Sequence, residues 1–275
     1  MSSAESAEDG PAPMHIDTTK PSTARVYDAA LGGKDNYAVD REMLAQLNAA
    51  APEVMQAANE NRAFLVRVCR YLANQVGIEQ FLDCGSGLPT AENVHQVVQR
   101  INPDARVVYI DNDPIVLAHG RALLEENDRT HFAAADIFDP SAVLDNEVVQ
   151  AHIDFTQPVA FLQLASLHFC ADDPAGVMRQ YVDALPSGSY VAFSHAFDPE
   201  NEYHEMAMEA AEVMSSGSAG RTNFRTRAEL EPILDGLDVL EPGLVYVADW
   251  WPSGPRFGPL LPVQHLIVGA LARKP

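Results

Sequence analysis

The run from Gln80 to Thr90, Q-F-L-D-C-G-S-G-L-P-T, constrains this chain more than any other stretch. A short apolar segment ends in Asp83 and breaks into Gly85-Ser86-Gly87 before a helical pattern begins. Glycine takes positive φ without strain and carries no Cβ, so Gly85 and Gly87 let the chain bend sharply under a ligand with amide N–H groups facing it. A strand, a glycine turn and a helix in that order open an α/β sheet, whose ligands sit beyond the carboxyl ends of the strands. Where a dinucleotide fingerprint places its third glycine this chain has Thr90, preceded by Pro89, so the turn departs from that fingerprint.

The alternation continues. Strand patterns at 80–84, 106–110, 131–135, 159–164 and 190–194 are separated by helical patterns at about 90–101, 114–125, 141–144 and 174–184. Nearly all-apolar strands with helices between them predict a parallel sheet covered on both faces. A helix at about 202–214 follows, then one capped by Thr226 with Glu229 three residues on. Two last strand patterns, 237–248 and 262–272, are joined only by the loop 250–259, too short for a helical crossover, and so should pair antiparallel. The predicted fold is α/β: a Rossmann-like, doubly wound, seven-stranded sheet, mostly parallel, with a C-terminal antiparallel hairpin.

Before the first strand, residues from Ser22 to about Val76 read as helices, with Val39, Leu44, Leu47, Phe64, Val68 and Leu72 spaced for buried faces and breaks at Gly32-Gly33 and Pro52. Residues 1–20 lack apolar periodicity and read as a disordered tail. The expected division is a tail over 1–20, a helical extension or lid over 21–77, and a ligand-binding domain over 78–275. With 275 residues and 47% hydrophobic content the chain can bury one substantial core. Lys+Arg 18 against Asp+Glu 39 leaves a net charge of −21, which repels nucleic acid and anionic membranes over most of the surface. Cys69, Cys84 and Cys170 stand far apart in apolar contexts, which suggests neither a disulfide framework nor a metal site. No apolar run is long enough to span a membrane and no signal peptide is visible, so a cytoplasmic location is expected.

The strand ends carry acids: Asp83 after the first, Asp111 and Asp113 after the second, Asp136 after the third. A carboxylate ending the second strand is positioned to accept both hydroxyls of a ribose. One after the third can accept from an exocyclic amine, and Asp83 can hold the turn or reach a ligand ammonium. Each acid alone reads equally as a cap or a solvated loop residue; their order after a glycine turn is what favours a nucleoside site.

D-C-G-S-G at 83–87, Y-I-D-N-D at 109–113 and A-A-D-I at 134–137 resemble the nucleoside-binding motifs of class I S-adenosylmethionine-dependent methyltransferases. A-R-V-Y-D-A-A-L-G-G-K-D-N-Y (24–37), N-R-A-F-L (61–65) and the G-L-P-T turn resemble, more closely, a bacterial family of S-adenosyl methyltransferases across nearly the whole chain after residue 20. The resemblance implies S-adenosylmethionine as cofactor and a small-molecule or polypeptide methyl acceptor. It further implies that Asp83, Gly85, Ser86 and Gly87 lie beside the methionine and ribose, Asp111 and Asn112 at the ribose and adenine, Asp136 and Ile137 at the adenine, and Ala165 and Ser166 under the sulfonium. Arg62, on the helix before the first strand, is the candidate for the cofactor carboxylate; its alternative is an exposed arginine paired with Glu60 or Glu79.

Gly32-Gly33-Lys34-Asp35-Asn36-Tyr37 reads either as a lid over the cofactor, with Gly33 and the earlier Tyr27 at the pocket, or as a plain helix C-cap. His168, just past the fourth strand, is the best-placed base should the acceptor need one, with His195 behind it; the alternative is a packed core histidine. Ser215–Asn223 or Trp250-Trp251 could roof a substrate, or be a solvated loop and an aromatic pair. The glutamates 202, 205, 209 and 212 share one helix face and should meet solvent. Two other functions fit the residues less fully: a catalytically silent cofactor-binding sensor or scaffold, and a nicotinamide-dependent oxidoreductase, which the missing third glycine disfavours.

Overall fold

A computed structural model describes residues 17–90, 92–123, 127–216, 221–255 and 258–275. Eight strands form one sheet: β1 Gln80–Cys84, β2 Arg106–Asp111, β3 Thr130–Ala134, β4 Ala160–Leu164, β5 Tyr190–Ala196, β6 Asp238–Val239, β7 Val245–Tyr246 and β8 Ile267–Arg273. Their order is β3-β2-β1-β4-β5-β8-β6, with β7 also on β8. The pairs among β1 to β5 are parallel, and β8 runs antiparallel to β5, β6 and β7. The order reverses between β1 and β4, and β1, β4 and β5 are buried along their whole length.

The helices are α1 Thr23–Ala30, α2 Ala38–Ala50, α3 Val54–Tyr71, α4 Val94–Gln99, α5 Pro114–Leu123, α6 Pro140–Leu144, α7 Glu147–His152, α8 Pro174–Ala184, α9 His204–Ser216 and α10 Arg227–Leu230. One apolar layer, containing Phe64, Val68, Leu72, Val97 and Ile115, covers the face under α3, α4 and α5. A second, with Phe161, Met178, Tyr181 and Ile233, fills the other face. A third cluster stands apart from the sheet, where Val26, Met43, Leu47, Ala207 and Ala210 meet Val263 and Leu266. The helical extension is therefore half of a cap whose other half, α9, comes from the chain after β5.

Three expectations are modified. The predicted strand at 237–248 is two short pieces, which brings the sheet to eight strands: Pro242 has no N–H for a ladder and Gly243 takes φ +88°, so the chain leaves the edge between them. Residues 262–266 form a 3-10 turn ahead of β8. The helix after the glycine turn starts at Val94, because Asn93 closes a capping box with Gln96. The predicted end of α5 at 124–125 and the tail over 1–16 fall outside the described residues. Asp17 to Lys20, expected to be tail, lie against α1: Arg25 donates to the carbonyls of Asp17 and Lys20. Arg25 also forms a buried ion pair with Asp40, N to O 2.9 Å, that fastens α1 to α2.

Trp250 is fully buried edge-on against Phe64 at 5.3 Å, and Trp251 stacks on it, so the pair packs against α3 away from any ligand cleft. The four glutamates on and before α9 are exposed, as their spacing predicts. Among the described residues no helix is long and apolar enough to cross a membrane.

Candidate active site

A cleft of about 830 Å³ opens beyond the carboxyl ends of β1 to β5, under the cap. Tyr27, Arg62, Asp83, Gly85, Ser86, Gly87, Asp111, Asn112, Asp136, Ile137, Ala165, Ser166 and His168 all line it. Those residues come from six separate parts of the chain: the parallel sheet gathers four of them because its β-to-α connections leave at the same edge, and α1 and α3 bring Tyr27 and Arg62.

The glycine turn folds back on β2: the amides of Gly85 and Ser86 donate to the Ile110 carbonyl at 2.9 and 3.2 Å. Gly85 (φ +81°) is obligatory twice over, since a Cβ there would stand 2.6 Å from the Ser166 Cβ. Gly87 (φ +65°) has nothing within 4 Å of where a Cβ would stand, so the turn is open on that side. Asp111 braces the turn from the side, accepting from the amides of Gly87 and Asp113 at 2.9 Å each. Burial raises its pKa, and those amide bonds work against the rise.

Asp83 is 5% exposed and lines the cleft. Burial pushes its pKa up to about 7, with Arg62 lowering it and Asp111 raising it. A buried carboxylate at the foot of a cleft is a receptor for a cation. Asp136 is exposed, lines the cleft and accepts from the Phe138 amide at 2.9 Å through one oxygen.

Arg62 reaches the cleft from α3 and donates to Asn93 Oδ1 at 3.3 Å. Of its two expected acidic partners, Glu60 accepts from Gln264 instead. Tyr27 contributes its ring, while its hydroxyl donates to the Ala58 carbonyl and accepts from Asn61. Gly33 does not line the cleft. Its amide donates to the Asp28 carbonyl, and a Cβ there would overlap the Asp28 carboxylate. Asp28 also accepts from the Asp35 amide and Asn36 Nδ2, so the segment 32–37 is wound around one buried acid of the chain itself. The glycine serves that knot, and Gly33 itself does not stand at the pocket as expected.

Ala165 holds φ +51°, a left-handed conformation uncommon for a residue with a Cβ. Its amide donates to Ser194 Oγ at 2.9 Å, and Ser194 Oγ donates to Asn61 Oδ1 at 2.6 Å. Asn61 and Ser194 were not candidates from sequence; the cue was a polar residue on the buried face of α3, beside Arg62. The chain Ala165–Ser194–Asn61–Tyr27 ties the strand-end turn to α3 and α1. Ser194→Ala is expected to lower stability by about 1–3 kcal/mol, because it strands Asn61 Oδ1 and frees a strained turn; chemical denaturation with unchanged melting of the variant would show the link to be idle.

His168 and His195 are both buried. Arg225 Nη1 donates to His195 Nε2 at 2.9 Å, so His195 carries its proton on Nδ1 and donates to the Ala196 carbonyl. His195 is thereby spent as a structural residue. Burial and then the Arg225 charge push His168 down to about 3, so its imidazole is neutral, and among the described residues its Nδ1 has no partner. Thr222 Oγ1 and Ser86 Oγ, also on the cleft, are buried and unpartnered as well. Thr222 lies in the expected roof segment; its positions 217–220 fall outside the described residues.

Residues 9–275 match the family model described as S-adenosyl methyltransferase. A candidate methyltransferase from Thermobifida fusca YX is similar at 41% identity over 94% of this chain and 96% of its own, with a TM-score of 0.89. A DUF574 family protein from Streptomyces avermitilis MA-4680 is 36% identical over 95% of this chain and 100% of its own, also at 0.89. No curated protein matches the chain.

Proposed function

Because the chain belongs to the S-adenosyl methyltransferase family, we propose that it binds S-adenosylmethionine in this cleft and transfers the methyl group to an acceptor held beneath the cap. The carrying observation is Asp83, a buried carboxylate lining the cleft, next to a turn that is open on the side where Gly87 lacks a Cβ. The residues suit the group: the open turn admits its methionine part, Asp83 matches its ammonium, and Ser86 Oγ is an unused partner within the turn. Asp111 would accept from the ribose hydroxyls with the lone pairs left over from Gly87 and Asp113, and Asp136 from the adenine amine. Arg62 supplies a positive charge for the carboxylate end.

When bound, S-adenosylmethionine supplies an electrophilic methyl on a sulfonium that departs neutral. The protein's part is then alignment and exclusion of water. The Ala165-Ser166 turn fixes the floor of the site through Ser194 and the Cys84 carbonyl. His168, kept neutral, can hydrogen-bond through Nδ1 to the acceptor and orient it.

Calorimetry with S-adenosylmethionine and S-adenosylhomocysteine tests the binding, with micromolar affinity for both expected and none at millimolar concentration fatal to the proposal. Methyl-labelled cofactor with a cell extract tests the transfer. Saturable labelling lost in Asp83→Ala is the expected result; binding without any labelled product would leave a silent cofactor binder.

A further inference from the structure

The cleft is divided by charge. Four of its carboxylates, Asp83, Asp111, Asp113 and Asp136, stand at or just past the ends of the first three strands. The opposite wall is built from Leu44 and Leu47 of α2, Val54 of α3, Met214 of α9, and Val263 and Leu266. Charged lining residues on the cap side are Asp17 and Lys20 ahead of α1, Arg25 of α1, which is held by Asp40, and Arg62 of α3, which donates to Asn93. An ionised ligand in the aliphatic arm would lose its water and gain no counter-charge.

Two polar atoms interrupt that arm. His168 Nδ1 and Thr222 Oγ1 are buried, line the cleft and have no partner among the described residues. They belong to neighbouring segments, because Asn223 donates to the His168 carbonyl twice, from its amide at 2.8 Å and from Nδ2 at 2.9 Å. Buried polar atoms left unpaired cost about 1–3 kcal/mol each, so two on one apolar wall mark a place where a ligand completes the bonding. At about 830 Å³ the whole cleft is near the upper end of the range for small-ligand sites, roughly 300–1,000 Å³, with room for a second molecule beside a nucleoside.

Resting on the methyl-transfer reading, we propose that the aliphatic arm is the acceptor subsite and that the acceptor is a compact, uncharged, largely apolar small molecule presenting one N–H or O–H group to His168 and Thr222. A polypeptide acceptor is disfavoured, since its backbone would bring many polar groups against a wall that offers two partners.

Two dyes of one skeleton test this on the full chain. N-phenyl-1-naphthylamine is neutral with one N–H; 8-anilinonaphthalene-1-sulfonate adds only the sulfonate. The neutral amine is expected to bind with enhanced, blue-shifted emission, and the sulfonate about tenfold or more weaker. Leu44→Glu, at a half-buried position on α2, should cost the amine about tenfold by placing a charge in the arm, and Thr222→Val about three- to tenfold by removing a hydrogen-bond partner at similar volume. Met214→Trp, which fills the arm, is a second probe should Leu44→Glu unfold. S-adenosylhomocysteine should bind all of these variants and should not displace the amine. Equal binding of the two dyes, amine binding indifferent to Leu44→Glu and Met214→Trp, or full displacement by S-adenosylhomocysteine would overturn the assignment. Amine binding that follows this pattern while S-adenosylhomocysteine fails to bind would instead remove the cofactor reading and leave the apolar subsite standing.

Discussion

Replacing Asp111 with alanine is expected to weaken S-adenosylhomocysteine binding by about 100-fold in a protein that still folds. Hydrogen bonds to a charged acceptor contribute about 1.5–3 kcal/mol each, so losing two of them to ribose hydroxyls costs at least about 3 kcal/mol, a factor of about 100 or more. The same carboxylate fixes the ligand-facing turn through the amides of Gly87 and Asp113, so its removal also loosens the cradle. Folding is spared because Asp111 ends β2 at the cleft, whereas β2 packs into the core through Val107, Val108 and Ile110. Asp111→Asn retains one carbonyl acceptor and should lose about tenfold, between wild type and alanine. Calorimetry with circular dichroism on the same samples decides it. A loss under about threefold for the alanine variant would take Asp111 out of the ribose role.

Affinity for S-adenosylmethionine is expected to rise with pH up to about 7 and then level off. In the free protein burial holds the Asp83 carboxyl at about 7. A bound cation favours the carboxylate, so below that pH binding must expel a proton, and affinity climbs by up to about tenfold per pH unit. Asp83→Asn should bind weakly at every pH and lose the slope. Titrations in buffers of different ionisation enthalpy count the proton directly; a flat profile in the wild type would remove Asp83 from contact with the ligand cation.

Stability moves in the opposite direction. Asp83 in the folded chain keeps its proton at pH values where the unfolded chain has lost it, so its contribution falls as pH rises from its ordinary 3.8 to about 7. The amount is on the order of 4 kcal/mol for a shift of that size. His168 acts oppositely: with a folded value of about 3 against the ordinary 6.5, it refuses a proton that the unfolded chain accepts, so its contribution grows as pH rises through that window. The two overlap in the wild type, and the comparison with Asp83→Asn isolates the carboxylate. Relative to that variant, the wild type should lose stability between about pH 4 and 7.

The sheet was legible because each central strand is an apolar run ended by turn chemistry, and the site because its acids end those runs. Segments whose structure depends on distant partners were not. The knot at 32–37 looks like a mobile glycine loop until Asp28 is seen to collect its amides. The strand predicted over 237–248 has the right composition, but whether Leu240–Leu244 stays on the edge is decided by its pairing with β8. His195, a plausible base by position, is consumed by Arg225, which lies 30 residues further along the chain.

The sequence alone determined the order of strands and helices and the ligand-facing ends of the first three strands, since apolar period, glycine turns and terminal acids are local properties of the chain. Only the tertiary structure decided which polar groups are free. Tyr27, Asn61 and Ser194 are occupied with one another, while Asp83 lines the cleft with its pKa raised by burial, and His168 Nδ1 and Thr222 Oγ1 are buried there without a partner among the described residues. Tertiary packing also closed the cap, by laying α9 against α2 across more than 150 residues of chain, an association set by burial of apolar faces and invisible to any local pattern.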